Sequence, residues 1–260
     1  MYYVNRFGGF SFARKCLARC SPSLYRVFMA AKNSIKEFTP NTYYHLYNRG
    51  VEKRMIFMDS QDYSVALSYL KTYLTPKDEK GLRSLLADPT STSRQKDQAL
   101  KMLRLNNFSD TLTLVSYCLM PNHFHILAYQ TEEDTIDRFM NSFGTRYSMY
   151  FNAKYHRVGP LYQGLYKAVR VDTDEQFLHL TRYIHRNPIA LASQGTPLQS
   201  YNYSSYPQYL DLSHAAWVHP EVILKYFQKS GRLGYQKFVE GVSEETYAPL
   251  LVNASLDNEF

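Results

Sequence analysis

The stretch TLTLVSYCLMPNHFHILAY, residues 111–129, decides the fold. Its two halves are apolar runs rich in β-branched and aromatic residues, and a Met-Pro-Asn turn at residues 120–122 separates them. The sequence therefore predicts a β-hairpin with one strand at residues 111–119 and the next at residues 123–129. Runs of this length are far too short to cross a bilayer, so no membrane association is expected.

The segments around the hairpin alternate between strand and helix patterns. Residues with period-2 aromatic and β-branched character predict strands, and apolar residues three or four apart predict helices. The predicted strands lie at 42–48 and 166–171, and the predicted helices at 59–73, 134–152 and 174–187, the last capped by Thr173 or Asp174 and ended by Pro188. The first six elements give an α+β fold, a ferredoxin-like βαββαβ sheet with helices on one face.

The composition favours a cytoplasmic protein with an anionic partner. The formal net charge is +7, and 24 tyrosines interleave with Lys and Arg in a way that suits stacking on unpaired bases. The three cysteines, Cys16, Cys20 and Cys118, provide neither a disulfide framework nor a four-ligand zinc pattern. The basic N-terminal segment lacks the continuous apolar stretch of a secretory signal. The sequence contains no glycine-rich phosphate-binding loop, so no nucleotide cofactor is expected.

Two histidines in the second hairpin strand could chelate a metal ion. Side chains alternate between the faces of a strand, so His123 and His125 project to the same side while Phe124 anchors the strand in the core. Two histidines leave coordination positions open, which is typical of a site for chemistry and requires a third protein ligand. The alternative is an ordinary pair of polar side chains on an exposed strand face.

A tyrosine on the last predicted helix has a metal-competent residue one turn away. Residues four apart share a helix face, and Tyr183 alone among the helical tyrosines is followed at that spacing by a suitable side chain, Asn187. His179 lies one turn earlier on the same face, as a backup ligand or an acid–base group. The alternative is that Tyr183 packs its helix onto the sheet.

These motifs together resemble the HUH single-tyrosine transposases, specifically the REP-associated tyrosine transposase branch of the insertion-sequence transposases. The resemblance covers residues 40–212 and rests on five ordered blocks: YHLYNRGVEKRMIF at 44–57, MPNHFHIL at 120–127, RVGPLYQGLYKAVRV at 157–171, YIHRNPIALA at 183–192 and YNYSSYPQYL at 201–210. Five blocks in order are far more specific than any one of them.

The resemblance implies metal-dependent nicking and rejoining of single-stranded DNA, in hairpin or repeat sequences, through a 5′-phosphotyrosine intermediate. Carried over by motif, Tyr183 is the nucleophile, and His123, His125 and Asn187 hold a divalent Mg or Mn ion. Imidazole ligands favour manganese over magnesium. Some relatives have Gln where this chain has Asn187, and either amide can offer an oxygen.

Basic and polar residues beside the motif blocks are candidate DNA contacts, with a solvated surface role as the alternative for each. The DNA-binding candidates are Arg49, Arg146, Arg157, Gln163, Lys167 and Arg170, and the auxiliary catalytic candidates are His179 and Arg182.

Three regions follow from this interpretation. Residues 1–38 are expected to form a basic, poorly ordered arm, residues 39–200 the catalytic domain with a helical insertion at 77–108, and residues 201–260 a C-terminal helical tail that packs on or extends the domain. A homodimer is a further candidate assembly. Two functions compete with strand transfer: a catalytically inactive single-stranded nucleic-acid-binding protein, and a metal-dependent phosphodiesterase that attacks with water.

Overall fold

The computed structural model describes residues 37–191 and 197–241, so the predicted arm lies almost wholly outside the described residues. Four antiparallel strands form one sheet with the order β2–β3–β1–β4. The strands are β1 (Thr42–Arg49), β2 (Leu112–Met120), β3 (His123–Gln130) and β4 (Lys167–Val171). This order is that of a βαββαβ sheet, and the predicted α+β, ferredoxin-like fold is confirmed.

Two long helices cover one face of the sheet. Helix α1 (Ser60–Leu74) begins where the Asp59 carboxylate accepts a hydrogen bond from Asp62 N, and α4 (Thr135–Lys154) packs beside it. Between these helices and the sheet lies a core of fully buried apolar side chains: Leu46, Leu114, Phe124, Ile126, Phe139, Phe143 and Tyr147. This burial is the dominant stabilising contribution, because it removes large apolar surfaces from water.

The predicted insertion is a pair of helices, α2 (Glu79–Ala87) and α3 (Ser93–Arg104). The Lys77 ammonium donates hydrogen bonds to the carbonyls of Leu103 and Leu105 and so ties the base of the pair. Phe108, which follows α3, packs on Tyr73 near the C-terminal end of α1. The pair therefore leaves the sheet at the end opposite to His123.

A third long helix and the C-terminal segment cover the other face of the sheet. Helix α5 (Asp174–Arg186) packs against β2 and β3, and a 3-10 segment, Asn187–Leu191, follows it. Three further helices, α6 (Tyr206–Tyr209), α7 (Glu221–Leu224) and α8 (Gly231–Glu240), complete this layer. Its core contains Cys118, which is a free thiol, with Leu127, Leu180, Ile184, Tyr206, Tyr209 and Tyr235. No helix among the described residues is long and apolar enough to span a membrane.

His185 joins α5 to the C-terminal segment inside this second core. The side chain is completely buried, and its two ring nitrogens lie 2.7 Å from the Tyr235 hydroxyl and 2.8 Å from the Ser205 hydroxyl. The Ser205 hydroxyl also accepts a hydrogen bond from the backbone N–H of Tyr117 in β2. One histidine thus links the helix, the C-terminal segment and the sheet, and burial lowers its pKa to about 3.

Burial of His185 predicts a specific loss of stability in acid. Below pH 6.5 this histidine binds a proton in the unfolded chain, whereas in the folded chain it does not bind one until about pH 3. Its contribution to the free energy of unfolding is therefore full above pH 6.5 and falls as the pH drops below that value. This histidine should contribute about 1.4 kcal/mol per pH unit to that slope. Urea titrations between pH 7.5 and 4.5 should show a flatter slope in His185→Gln, with His214→Gln, at an exposed histidine, as the matched control. Equal slopes in His185→Gln and the unaltered chain would contradict this.

Candidate active site

The two motif histidines lie on the sheet face that α5 covers. In the antiparallel register, His123 pairs with Arg49 and His125 pairs with Tyr47. Directly paired residues point to the same side of a sheet, so these four side chains share a face. Lys167 pairs with Tyr47 from the other side of β1 and joins them.

The turn before His123 is held by the segment that follows β1. Gly50 N donates to the carbonyl of Asn122, and the backbone N–H groups of Ile56 and Phe57 both donate to the carbonyl of Pro121. A Cβ at position 50 would lie 2.2 Å from the carbonyl oxygen of Arg54, so only a glycine fits at this position. The first two sequence blocks are therefore neighbours in space because each satisfies the backbone of the other.

The end of α5 brings the predicted nucleophile and third ligand to the histidines. The Tyr183 ring centroid lies 5.4 Å from that of His125. Asn187 caps the helix: its Nδ2 donates to the Tyr183 carbonyl at 3.0 Å, which turns Oδ1 toward His123 Nε2 at 3.3 Å. All four residues carried over from the family thus meet on one face of one chain.

The hydrogen bonds around His123 suit a cation ligand. Its Nδ1 lies 2.6 Å from Asn122 Oδ1, an acceptor, so in the neutral ring Nδ1 carries the proton and Nε2 presents a lone pair. That lone pair and Asn187 Oδ1, both acceptors, then face each other across 3.3 Å. Ligand bonds of roughly 2.0–2.2 Å to one ion place neighbouring donor atoms at about this separation. Such a pair of facing acceptors fits a divalent cation.

His125 is the more deeply placed of the two histidines. It is fully buried, and its Nε2 has no hydrogen-bond partner in the described part of the chain. Its Nδ1 lies 2.9 Å from Nε2 of His45, which is fully buried as well. Burial lowers the pKa of His45 to about 3 and that of His125 well below 6.5. Electrostatic interaction with His45 and His123 lowers the pKa of His125 further. Both rings are therefore neutral near pH 7, and only a neutral imidazole can bind a metal.

The described residues contain no cluster of three or more His, Cys, Asp or Glu side chains suited to hold a metal ion. The predicted ligand set needs no such cluster, since it consists of two histidines and one amide. It therefore carries no formal negative charge of its own.

Three of the predicted DNA contacts lie beside the histidines. Arg49 Nε donates to the side-chain oxygen of Gln163, and Lys167 points to the same face from β4. Burial, and then the charge of Arg49, lower the pKa of Lys167. Arg49 and Lys167 therefore form a basic rim beside the histidines, with Gln163 bonded to Arg49.

The other five predicted side chains lie elsewhere. Arg157 Nη1 donates to Asn152 Oδ1 at 2.8 Å, and its guanidinium lies 5.8 Å from the ring centroid of Phe151, which belongs to the core under α1 and α4. Arg146 stacks on the Tyr69 ring at 3.8 Å, on the α1–α4 side of the sheet. Arg170 pairs with Tyr44, whose side chain belongs to the core of that same side.

The two auxiliary candidates both pack against Phe238 of α8. Arg182 Nη2 also donates to the Gly241 carbonyl at 2.6 Å. The structure therefore groups His179 and Arg182 with the attachment of α5 to the C-terminal segment, and their auxiliary role stays a prediction.

Sequence reasoning missed three residues of the site: His45, Tyr47 and Asn122. The signal for the first two was present in the alternation of TYYHLYN, where positions 43, 45 and 47 share one face. The pairing register that sets His45 beside His125 depends on how β1 meets β3. Asn122 stood next to His123 in the sequence and was read as a turn residue only.

Part of the chain matches the model of a known family. Residues 90–187 match the family model of IS200-like transposases. The matched stretch spans less than half of the chain, includes His123, His125, Tyr183 and Asn187, and agrees with the resemblance to the insertion-sequence transposases.

Two further comparisons add little to this match. A solved structure of a REP-associated tyrosine transposase bound to a REP hairpin is similar at a TM-score of 0.42 and 8% identity, over 71% of this chain and 95% of that one. No curated protein matches the chain.

The amide oxygen of Asn187 should contribute directly to cation affinity. We expect Asn187→Leu to weaken Mn²⁺ binding by more than about tenfold, and Asn187→Asp to strengthen it because a charged oxygen replaces a neutral one. Calorimetric titration of the full chain measures both. Asn141→Leu on the exposed side of α4 is the matched control. Unchanged affinity in Asn187→Leu would remove Asn187 from the ligand set.

Proposed function

We propose that this chain is a transposase that nicks and rejoins single-stranded DNA, with Tyr183 as the covalent nucleophile and a divalent Mg or Mn ion at His123, His125 and Asn187. The observation that carries the proposal is the convergence of these four side chains at the end of α5. The Tyr183 ring lies 5.4 Å from His125, and Asn187 Oδ1 lies 3.3 Å from His123 Nε2. The substrate class, hairpin or repeat DNA, comes from the resemblance.

Different residues of the chain hold the cation and contact the DNA. The two Nε2 atoms and the Asn187 amide oxygen would hold the cation, which would polarise the scissile phosphate and offset charge in the transition state. The basic rim contacts phosphates on either side of the scissile bond and sets the register of the strand. Because His45 and His125 are buried and neutral, they add no positive charge that would compete with the cation.

Tyr183 performs the bond exchange. Its phenolate oxygen attacks phosphorus, the P–O3′ bond breaks, and the departing 3′ oxygen takes up a proton. The DNA 5′ phosphate is then esterified to Tyr183. Attack by another 3′-hydroxyl reverses the step onto a new strand and regenerates the phenol. The phosphotyrosine ester conserves the energy of the phosphodiester, so the cycle requires no nucleotide cofactor.

A covalent adduct on Tyr183 is the expected product. Full-length protein, Mn²⁺ and a 3′-labelled single strand from the flanks of its own gene should give a slow, protease-sensitive band on a denaturing gel. The band should disappear in Tyr183→Phe and in His123→Ala. Tyr226→Phe, whose exposed hydroxyl contacts Asp174 instead, is the matched control for loss of a phenol.

Two results would contradict the proposal and identify a different function. Cleavage to a free 5′ phosphate that survives Tyr183→Phe would identify a phosphodiesterase that uses water. Binding of the DNA without cleavage, together with no Mn²⁺ affinity, would identify an inactive nucleic-acid-binding protein.

The basic rim predicts how DNA affinity depends on salt. Each phosphate contact on a single strand contributes about 0.7 to the slope of log K against log salt concentration. Lys167→Gln and Arg49→Gln should each lower the slope by about that amount. Arg83→Gln is the control, since Arg83 is exposed on α2 and paired with Glu79 far from the site. A slope that stays the same in both rim variants would exclude these phosphate contacts.

A further inference from the structure

A buried histidine pair lies directly behind the proposed cation site. His45 Nε2 and His125 Nδ1 are 2.9 Å apart, and both side chains are fully buried. The rings are nearly parallel, at 16°, with their centroids 5.0 Å apart. His45 comes from the middle of β1, where it pairs with Leu127 on one side and Val169 on the other, so strand pairing on both sides fixes its backbone.

Only one proton can occupy the bond between two neutral imidazoles. If His45 Nε2 donates, the proton of His125 sits on Nε2 and that atom cannot bind a cation. If His125 Nδ1 donates, His45 Nε2 accepts, and His125 Nε2 presents its lone pair. The second arrangement alone is compatible with His125 as a ligand.

His123 is held in the same way by a different partner. Its Nδ1 lies 2.6 Å from Asn122 Oδ1, which leaves its Nε2 on the side of Asn187. Each candidate ligand thus has its Nδ1 within hydrogen-bond distance of a side chain behind it, which leaves its Nε2 available for a cation. Partners of this kind behind a metal ligand fix the tautomer and the ring orientation.

We propose that His45 is a positioning residue that holds His125 in the Nδ1–H tautomer, with Nε2 toward the cation. This inference rests on the proposed function, because it assigns a role to His45 through the ligand His125. His45 itself must then carry its remaining proton on Nδ1.

Two further features argue that His45 does more than fill space. Its Nδ1 is buried with no hydrogen-bond partner among the described residues, which is costly for a group that only packs. A phenylalanine would fill the same position without that cost. Tyr47 stacks on His45 at 4.8 Å and prevents the ring from turning away from His125.

The effect of replacing His45 on cation affinity should depend on whether the new side chain offers a hydrogen-bond acceptor to His125 Nδ1. Loss of an outer partner costs about 10–100-fold in metal affinity. His45→Phe keeps the ring and removes the acceptor, so Mn²⁺ binding by the full chain, read from the free-ion paramagnetic resonance signal, should weaken by that factor. His45→Gln offers an amide oxygen at the position of Nε2 and should restore affinity to within about threefold of the unaltered chain.

The control separates this effect from damage to the fold. Leu46→Val changes the neighbouring residue of β1, whose buried side chain points into the opposite core, and should leave Mn²⁺ affinity unchanged. Histidine ¹⁵N spectra of the Mg²⁺-loaded chain give a second readout, in which His125 should be Nδ1–H and should lose that preference in His45→Phe. Melting curves of each variant identify any that fails to fold, and His45→Gln then carries the spectroscopic test.

The possible results distinguish this inference from the function beneath it. Unchanged Mn²⁺ affinity in His45→Phe, with affinity lost in His123→Ala, would overturn the positioning role and leave the proposed function intact. An Nε2–H tautomer for His125 in the loaded chain would overturn it as well. Absence of Mn²⁺ binding by the unaltered chain would overturn both. If Mn²⁺ binding behaves as expected but no adduct forms on Tyr183, only the strand-transfer function fails.

Discussion

The attachment of α5 to the sheet is the constraint on which the site depends. Tyr183 and Asn187 reach the histidines of β3 from the C-terminal end of this helix, and the helix is held from behind by the C-terminal segment. His185 bonds to Ser205 and Tyr235, while Arg186 Nη1 donates to the Val239 carbonyl at 2.8 Å. The placement of Tyr183 and Asn187 at one end of α5 therefore depends on hydrogen bonds and aromatic packing along the far side of the helix.

A site built from neutral side chains binds a cation less strongly than one built from carboxylates, but it does not repel a phosphate. The proposed ligands bring two imidazoles and an amide, and the partners behind them are a histidine and an asparagine. Carboxylates in these positions would bind the cation more strongly, but they would repel the phosphate that must approach it. The neutral set accepts weaker cation binding and leaves the basic rim to attract the DNA backbone. It also makes the deepest ligand, His125, dependent on burial to stay unprotonated.

Much of the fold could be read from periodicity because the strands and helices are strongly patterned. The hairpin turn at Pro121 and Asn122, the alternation in β1, and the Tyr183–Asn187 spacing each follow from local rules that the structure obeys. What could not be read was non-local. Nothing in TYYHLYN says that the His45 side chain will contact that of His125 in the neighbouring strand, because that depends on strand register. For the same reason Arg146 looked like a DNA contact by its place next to a motif, although its guanidinium lies on the Tyr69 ring.

The position of Asn187 as the cap of α5 has an electrostatic consequence. The peptide dipoles of a helix add up, so that its C-terminal end carries a partial negative charge of about half an electron. The Tyr183 carbonyl, which Asn187 Nδ2 satisfies, is one of the groups that produce it. A cation placed at the end of α5 is stabilised by this field, whereas a phosphate placed there alone is disfavoured. In the proposed mechanism, the helix that carries Tyr183 thus also makes its own end a place where a phosphate binds only together with a metal ion.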